Sequence, residues 1–127
     1  MFPMNQARWQ GSVDSMVDQT LSFVNLENPP GSMVFADTAG LGAGFYDITF
    51  CVNCTVACAQ SRVVLEWRNA ANSASLWNLG WDTTGAKSDI FNLFNLKVAA
   101  GERFRIYNYL SLSGLLMTSI IATRRAT

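Results

Sequence analysis

A period of two constrains this chain more than any other feature. From Phe45 to Val56 the residues alternate, with Tyr46, Ile48, Phe50, Val52, Cys54 and Val56 on one face and Phe45, Asp47, Thr49, Cys51, Asn53 and Thr55 on the other. Successive side chains of a strand point to opposite sides of the sheet, so an alternation this long requires a strand with one face in a core. The pattern recurs. Arg62–Arg68 sets Val63, Leu65 and Trp67 against Val64, Glu66 and Arg68, and Ser75–Trp81 puts Trp77, Leu79 and Trp81 on one side. Arg103–Leu110 turns Phe104, Ile106 and Leu110 inward and Arg105, Tyr107 and Tyr109 outward, and Leu115–Thr123 supplies a last strand. Ile90–Val98 is apolar but changes phase between Leu93 and Phe94, which marks a β-bulge or a corner between sheets.

Turns separate these segments. Gly40-Leu41-Gly42-Ala43-Gly44, Asn69-Ala70-Ala71-Asn72-Ser73, Asp82-Thr83-Thr84-Gly85, Ala100-Gly101-Glu102 and Ser111-Leu112-Ser113-Gly114 all have turn or loop composition. Thr20–Leu26 and Ser32–Ala36 are two weaker strand candidates on either side of Glu27-Asn28-Pro29-Pro30-Gly31. Many short strands at this spacing, with no long helix, predict an all-β sandwich or barrel. The 127 residues suit one domain that buries a core without staples. Before residue 20 no strong period is present, although Val13, Met16 and Val17 fit one helical turn. The expected division is therefore an N-terminal arm, 1–19, and a single domain, 20–127. The arm is either an extended terminus or a segment that docks on a neighbour.

Composition narrows the function. Charged residues make up 14% of the chain, against roughly 25% in an average soluble protein. Nine basic residues balance nine acidic ones and His is absent, so there is no basic excess for nucleic acid and no imidazole for catalysis or metal ligation. No run of about 18 apolar residues exists to span a bilayer. The N-terminus, Met1-Phe2-Pro3-Met4-Asn5-Gln6-Ala7-Arg8, lacks the pattern of a secretory signal, so synthesis in the cytoplasm is expected. A monomer with so little charge is prone to self-association. Either hydroxyls and amides coat its surface, or other subunits cover much of it.

The remaining chemistry is sparse. Cys51 and Cys54 have C-x-x-C spacing, with Cys58 nearby. A zinc site would need a second pair or a His, and a strand would put Cys51 and Cys54 on opposite faces. Free thiols are therefore expected, with no metal and no cofactor. Asp47 and Glu66 fall on the polar faces of strands, where solvation is expected, and Asp14, Asp18, Asp82, Asp89 and Glu102 fall in loops, a turn or the terminus. No nucleophile–base pair and no phosphate-binding loop before a helix is evident, so an enzyme is not expected. Trp67, Trp77 and Trp81 read as core residues, and Tyr107 and Tyr109 as an amphipathic contact surface between subunits.

The order of motifs resembles a known superfamily. Ala43-Gly44-Phe45-Tyr46-Asp47-Ile48-Thr49-Phe50 resembles the A-G-x-Y-x-(apolar)-x-F strand of the tumour necrosis factor-like jelly rolls, which include the globular heads of the first complement component. Leu96–Ile106 is similar to their L-x-x-x-x-G-D-x-(apolar)-x-(apolar) segment, with Glu102 in place of Asp, and Ser119–Arg124 resembles their last strand. The resemblance implies a ten-strand, two-sheet jelly-roll sandwich and a homotrimer packed around one sheet. It places Phe45–Val52, Phe104–Tyr109 and Leu116–Ala122 on the axis, with Phe45, Thr49, Tyr107 and Tyr109 facing neighbours. A stalkless trimer with an apolar arm is most similar to phage capsid decoration, or cement, proteins. On that reading Phe2, Pro3, Met4, Trp9, Val13, Met16 and Val17 anchor the arm on the major capsid protein of a phage head, at threefold or quasi-threefold sites on the outside of the virion. The alternative is a carbohydrate- or receptor-binding head of a fibre or spike, with Trp77, Trp81 and the Asn69–Ser75 loop as candidate contacts.

Overall fold

The computed structural model describes residues 16–54, 62–82, 87–112 and 114–125. Within them lie β1 (Met16–Glu27), β2 (Met33–Asp37), β3 (Gly44–Cys54), β4 (Arg62–Arg68), β5 (Ser75–Asp82), β6 (Lys87–Val98), β7 (Arg103–Asn108) and β8 (Leu115–Arg125). Each strand segment read from the alternation is present within the described residues, and Thr55 and Val56 lie outside them. The eight strands among the described residues fall short of the ten that the resemblance implies.

The pairing is nested. β1 pairs with β8, β2 with β7, β3 with β6 and β4 with β5, all antiparallel. The chain is thus a long hairpin, rolled up so that β3 also pairs with β8 and β4 with β7. Two four-stranded sheets result, in the orders β1-β8-β3-β6 and β2-β7-β4-β5. This is the eight-stranded jelly roll, in which the two sheets face each other across one core.

Apart from Leu110, the described inward-facing residues are those the alternation assigned. Tyr46, Ile48, Phe50 and Val52 of β3 meet Val63 and Leu65 of β4, Phe104 and Ile106 of β7, and Leu116, Ile120 and Ala122 of β8 in one buried cluster. Phe50 stacks on Trp77 with centroids 6.2 Å apart, and Trp67 stacks on Phe104 at 5.7 Å. Trp81, also buried, donates its indole N–H to Asp89 Oδ2 at 2.6 Å. Asp89 therefore lies within β6 and not in the expected loop. Leu110, expected inside, is exposed, because β7 ends at Asn108 and the chain turns away.

Two glycines serve the connections. Gly101 has φ of 90° in the turn between β6 and β7 and donates to Leu41 O at 2.8 Å, tying that turn to the chain before β3. Glu102, beside it, accepts Ala99 N at 2.9 Å and the Trp67 indole N–H at 3.2 Å. At Gly31, a Cβ would come within 2.8 Å of Tyr109 O, so only glycine lets the β1–β2 connection pass this close to the chain beyond β7. The phase slip in β6 is a bulge. Tyr46 pairs with Leu96 but Ile48 with Leu93, so β6 carries one extra residue there, and Asn95 adopts φ of 56°.

Candidate functional site: two outer faces

The sandwich has two outer faces, and they differ in chemistry. On the first sheet, register lines up Ile121–Thr49–Asn92, Ser119–Cys51–Ile90 and Met117–Asn53–Ser88 across β8, β3 and β6. By register, charge is confined to the two ends of this face. Glu27 stands at one end, with Asp47, Arg125 and Lys97 at the other. Arg125 binds Asp47 through two hydrogen bonds, Nε to Oδ1 at 3.0 Å and Nη2 to Oδ2 at 2.7 Å, and Asp47 Oδ1 also accepts Asn95 N at 2.9 Å, which pins the bulge. Between these ends the face is uncharged. Ile90 is 65% exposed and Phe94 64% exposed, and Phe45, Cys51, Met117 and Ile121 are half-buried. Asn53 Oδ1 is buried with no hydrogen-bond partner among the described residues.

The second sheet's outer side carries a braced network of charges, beside the exposed apolar side chains of Val34 and Leu76. Glu66 of β4 is only 5% exposed, although the alternation put it on a solvated face. Its carboxylate accepts Arg105 Nε at 2.5 Å, Ser75 Oγ at 2.6 Å and Arg68 Nη1 at 3.3 Å. Burial pushes the carboxyl pKa up. The hydrogen bonds from Ser75 and Arg105 and the charges of Arg105 and Arg68 outweigh it and hold the pKa below the ordinary glutamate value. Arg105 also lies over the Tyr107 ring, 4.9 Å from its centroid, and Tyr107 meets Tyr109 edge-on at 4.8 Å. Arg68 continues the network by donating to Asn72 Oδ1 at 2.7 Å and Asn72 O at 2.9 Å. Asp37 and Arg103 form a further pair at 3.1 Å.

The axial residues expected from the resemblance are therefore not brought together. Phe45 and Thr49 lie on the outer face of the first sheet, and Tyr107 and Tyr109 on that of the second, with the core between them. Alternation separates inside from outside; it does not say which sheet a strand joins, and β7 joins the sheet opposite β3 and β8.

The anchoring residues Phe2, Pro3, Met4, Trp9 and Val13 lie outside the described residues. Met16 and Val17, counted with the arm, are the first residues of β1, and Met16 pairs with Arg125. The backbone ladder with β8 takes precedence over a helical turn there, so the domain begins no later than residue 16. Trp77 and Trp81 face the core, so they offer no stacking surface for a sugar. Cys51 is free, but Cys54 is disulfide-bonded, which corrects the expectation of free thiols throughout. Among the described residues no group of three or more His, Cys, Asp or Glu is placed to hold a metal ion.

Sequence reasoning missed Ile90 and Phe94 because an apolar run reads as core on both faces. It missed the Glu66 network because Arg105 is 39 residues away and reaches Glu66 only through the β4–β7 register.

No family model matches the chain, and no curated protein matches it. Among solved structures it is similar to a chain of the human norovirus GI.7 Houston strain virus-like particle, an asymmetric unit in T=3 symmetry, with a TM-score of 0.46 and 9% identity. The match covers 89% of this chain and 30% of that one, so the chain spans about a third of its length.

Proposed function

We propose that the chain is a structural, non-enzymatic protein that self-associates through the outer face of its first sheet. In full, the reading is a homotrimeric decoration protein on the outside of a phage head at threefold or quasi-threefold sites, with the segment before β1 directed at the shell. The observation that carries self-association is the uncharged centre of that face, with Ile90 and Phe94 largely exposed. Interface cores are depleted of charge and enriched in aromatic residues and Met, and a monomer rarely displays such a patch unused. Phe45 and Thr49, predicted at the trimer axis, lie on this face; Tyr107 and Tyr109 are left free of it. The low overall charge fits a protein with one face covered.

The virion location and the shell partner rest on the motif resemblance and on the apolar character of Phe2, Pro3, Met4, Trp9 and Val13. Three linked arms would each add weak contacts, and their linkage would raise avidity without any strong single site.

Light scattering of the purified chain tests the assembly. A trimer has about three times the 14.0 kDa chain mass, and the double variant Ile90→Glu/Phe94→Glu should be monomeric with an unchanged fold. A wild-type monomer at high concentration would overturn the proposal. Removing residues 1–15 and mixing the trimer with undecorated heads tests the arm, whose role fails if binding is unchanged.

A further inference from the structure

We infer that the outer face of the second sheet carries a binding groove for a neutral pyranose sugar, between Glu66 and the ring of Tyr109. The groove lies on the opposite side of the sandwich from the self-association face and does not depend on it. It has a volume of about 400 Å³ and is lined by Val64, Glu66, Ser75, Asn78, Gly80 and Tyr109, a size in the range of small-molecule sites.

Its shape follows from the ladder. Val64 pairs with Gly80 and Glu66 with Asn78. Glycine is disfavoured inside a strand and marks places where another molecule comes close to the backbone. On the outer face of β5, Gly80 leaves a depression floored by Val64, while Asn78 and Ser75 stand on either side of the Glu66 carboxylate. Tyr109, 52% exposed, closes the end nearest Gly80.

The chemistry selects the ligand class. Tyr109 offers an aromatic surface for the C–H face of a sugar ring, held by its edge-on contact with Tyr107. The ring and the carboxylate belong to one braced chain, because Arg105 lies over Tyr107 and also bonds Glu66. Three donors from the protein occupy only part of a carboxylate's acceptor capacity. Glu66 can therefore accept a sugar hydroxyl, and the exposed Asn78 amide can both donate and accept. Among the described lining residues there is no lysine or arginine, and the Glu66 charge is already matched by two arginines, so these residues favour neither an anion nor a cation. An apolar ligand would strand the Asn78 amide and the remaining acceptor site of Glu66. A polyol with one apolar face meets all of these conditions.

The test is a glycan array probed with the labelled full-length protein, followed by NMR titration of the best-bound neutral methyl glycoside. The expected result is weak, saturable binding with amide shifts centred on Asn78, Gly80 and Tyr109. Tyr109→Ala should weaken it about tenfold. Gly80→Val should abolish it by filling the groove, and because valine suits a strand its urea midpoint should be no lower than that of wild type. Four outcomes overturn the proposal: no neutral glycoside saturates; the shifts map elsewhere; only charged or apolar probes bind; or Gly80→Val binds as tightly as wild type.

Discussion

Replacing Glu66 with Gln tests the bracing of the second sheet. The substitution keeps the shape of the side chain and removes its charge. Arg105 and Arg68, whose side chains are 14% and 12% exposed, then face an amide. Breaking a buried ion pair by neutralising one partner costs about 3–5 kcal/mol. The amide oxygen still accepts one arginine, so a loss of about 2–3 kcal/mol is expected. At ~2.1 cal/mol/K of unfolding entropy per residue, 127 residues give about 0.27 kcal/mol/K, so the melting temperature should fall by about 7–11 °C.

The pH dependence gives an independent check. The Glu66 pKa is lowered in the folded state, so its stabilisation is complete above its ordinary value of 4.5 and is lost as pH falls through the lowered one. Urea midpoints followed by tryptophan fluorescence, at fixed protein concentration, should separate wild type from Glu66→Gln fully at neutral pH. The gap should close progressively in acid. An Arg105→Gln arm completes a double-mutant cycle, with coupling of about 1 kcal/mol or more expected. Equal stability of the two proteins at neutral pH would refute the reasoning, as would a gap that persists unchanged in strong acid.

Other outcomes follow from the core and the turns. Phe50→Ala, at a fully buried ring packed on Trp77 and Phe104, should lower the unfolding free energy by about 3–5 kcal/mol in urea titration. Gly31→Ala forces a methyl to 2.8 Å from Tyr109 O and 3.1 Å from Ser111 N, so calorimetry should show a loss of about 1–3 kcal/mol. Iodoacetamide applied to the denatured, unreduced chain should label Cys51 and spare Cys54 until reductant is added, as read by peptide mass spectrometry.

The strands were legible because their signal is local. Alternation in Phe45–Cys54 or Arg103–Asn108 needs only neighbouring residues, and even the β6 bulge showed as a slip between Leu93 and Phe94. Sheet membership is non-local. Nothing within Phe104–Tyr109 says that β7 lies between β2 and β4 rather than beside β3, so the tyrosines were grouped with Phe45 and Thr49, which lie on the opposite face. Glu66 shows the same limit. Its burial comes from Arg105 across the ladder and from Ser75, and only the paired register brings these charges together. Leu110 failed for a simpler reason, since the alternation continues in the sequence after the ladder has ended.

The nested pairing also governs how the molecule is made. β8 sits between β1 and β3, so a strand in the middle of the first sheet leaves the ribosome after the other seven described strands. Until Arg125 has emerged, β1 has no neighbour in its own sheet, and β3 has only β6. β2, β7, β4 and β5 can assemble earlier, because all four are synthesised before residue 109. The nascent chain therefore passes through a stage with one sheet complete and the other open along two strand edges, the kind of species that aggregates when many copies are made at once. A stop codon after residue 114 would hold the chain at that stage, and rapid synthesis in bulk favours whatever shields β1 and β3 until β8 arrives.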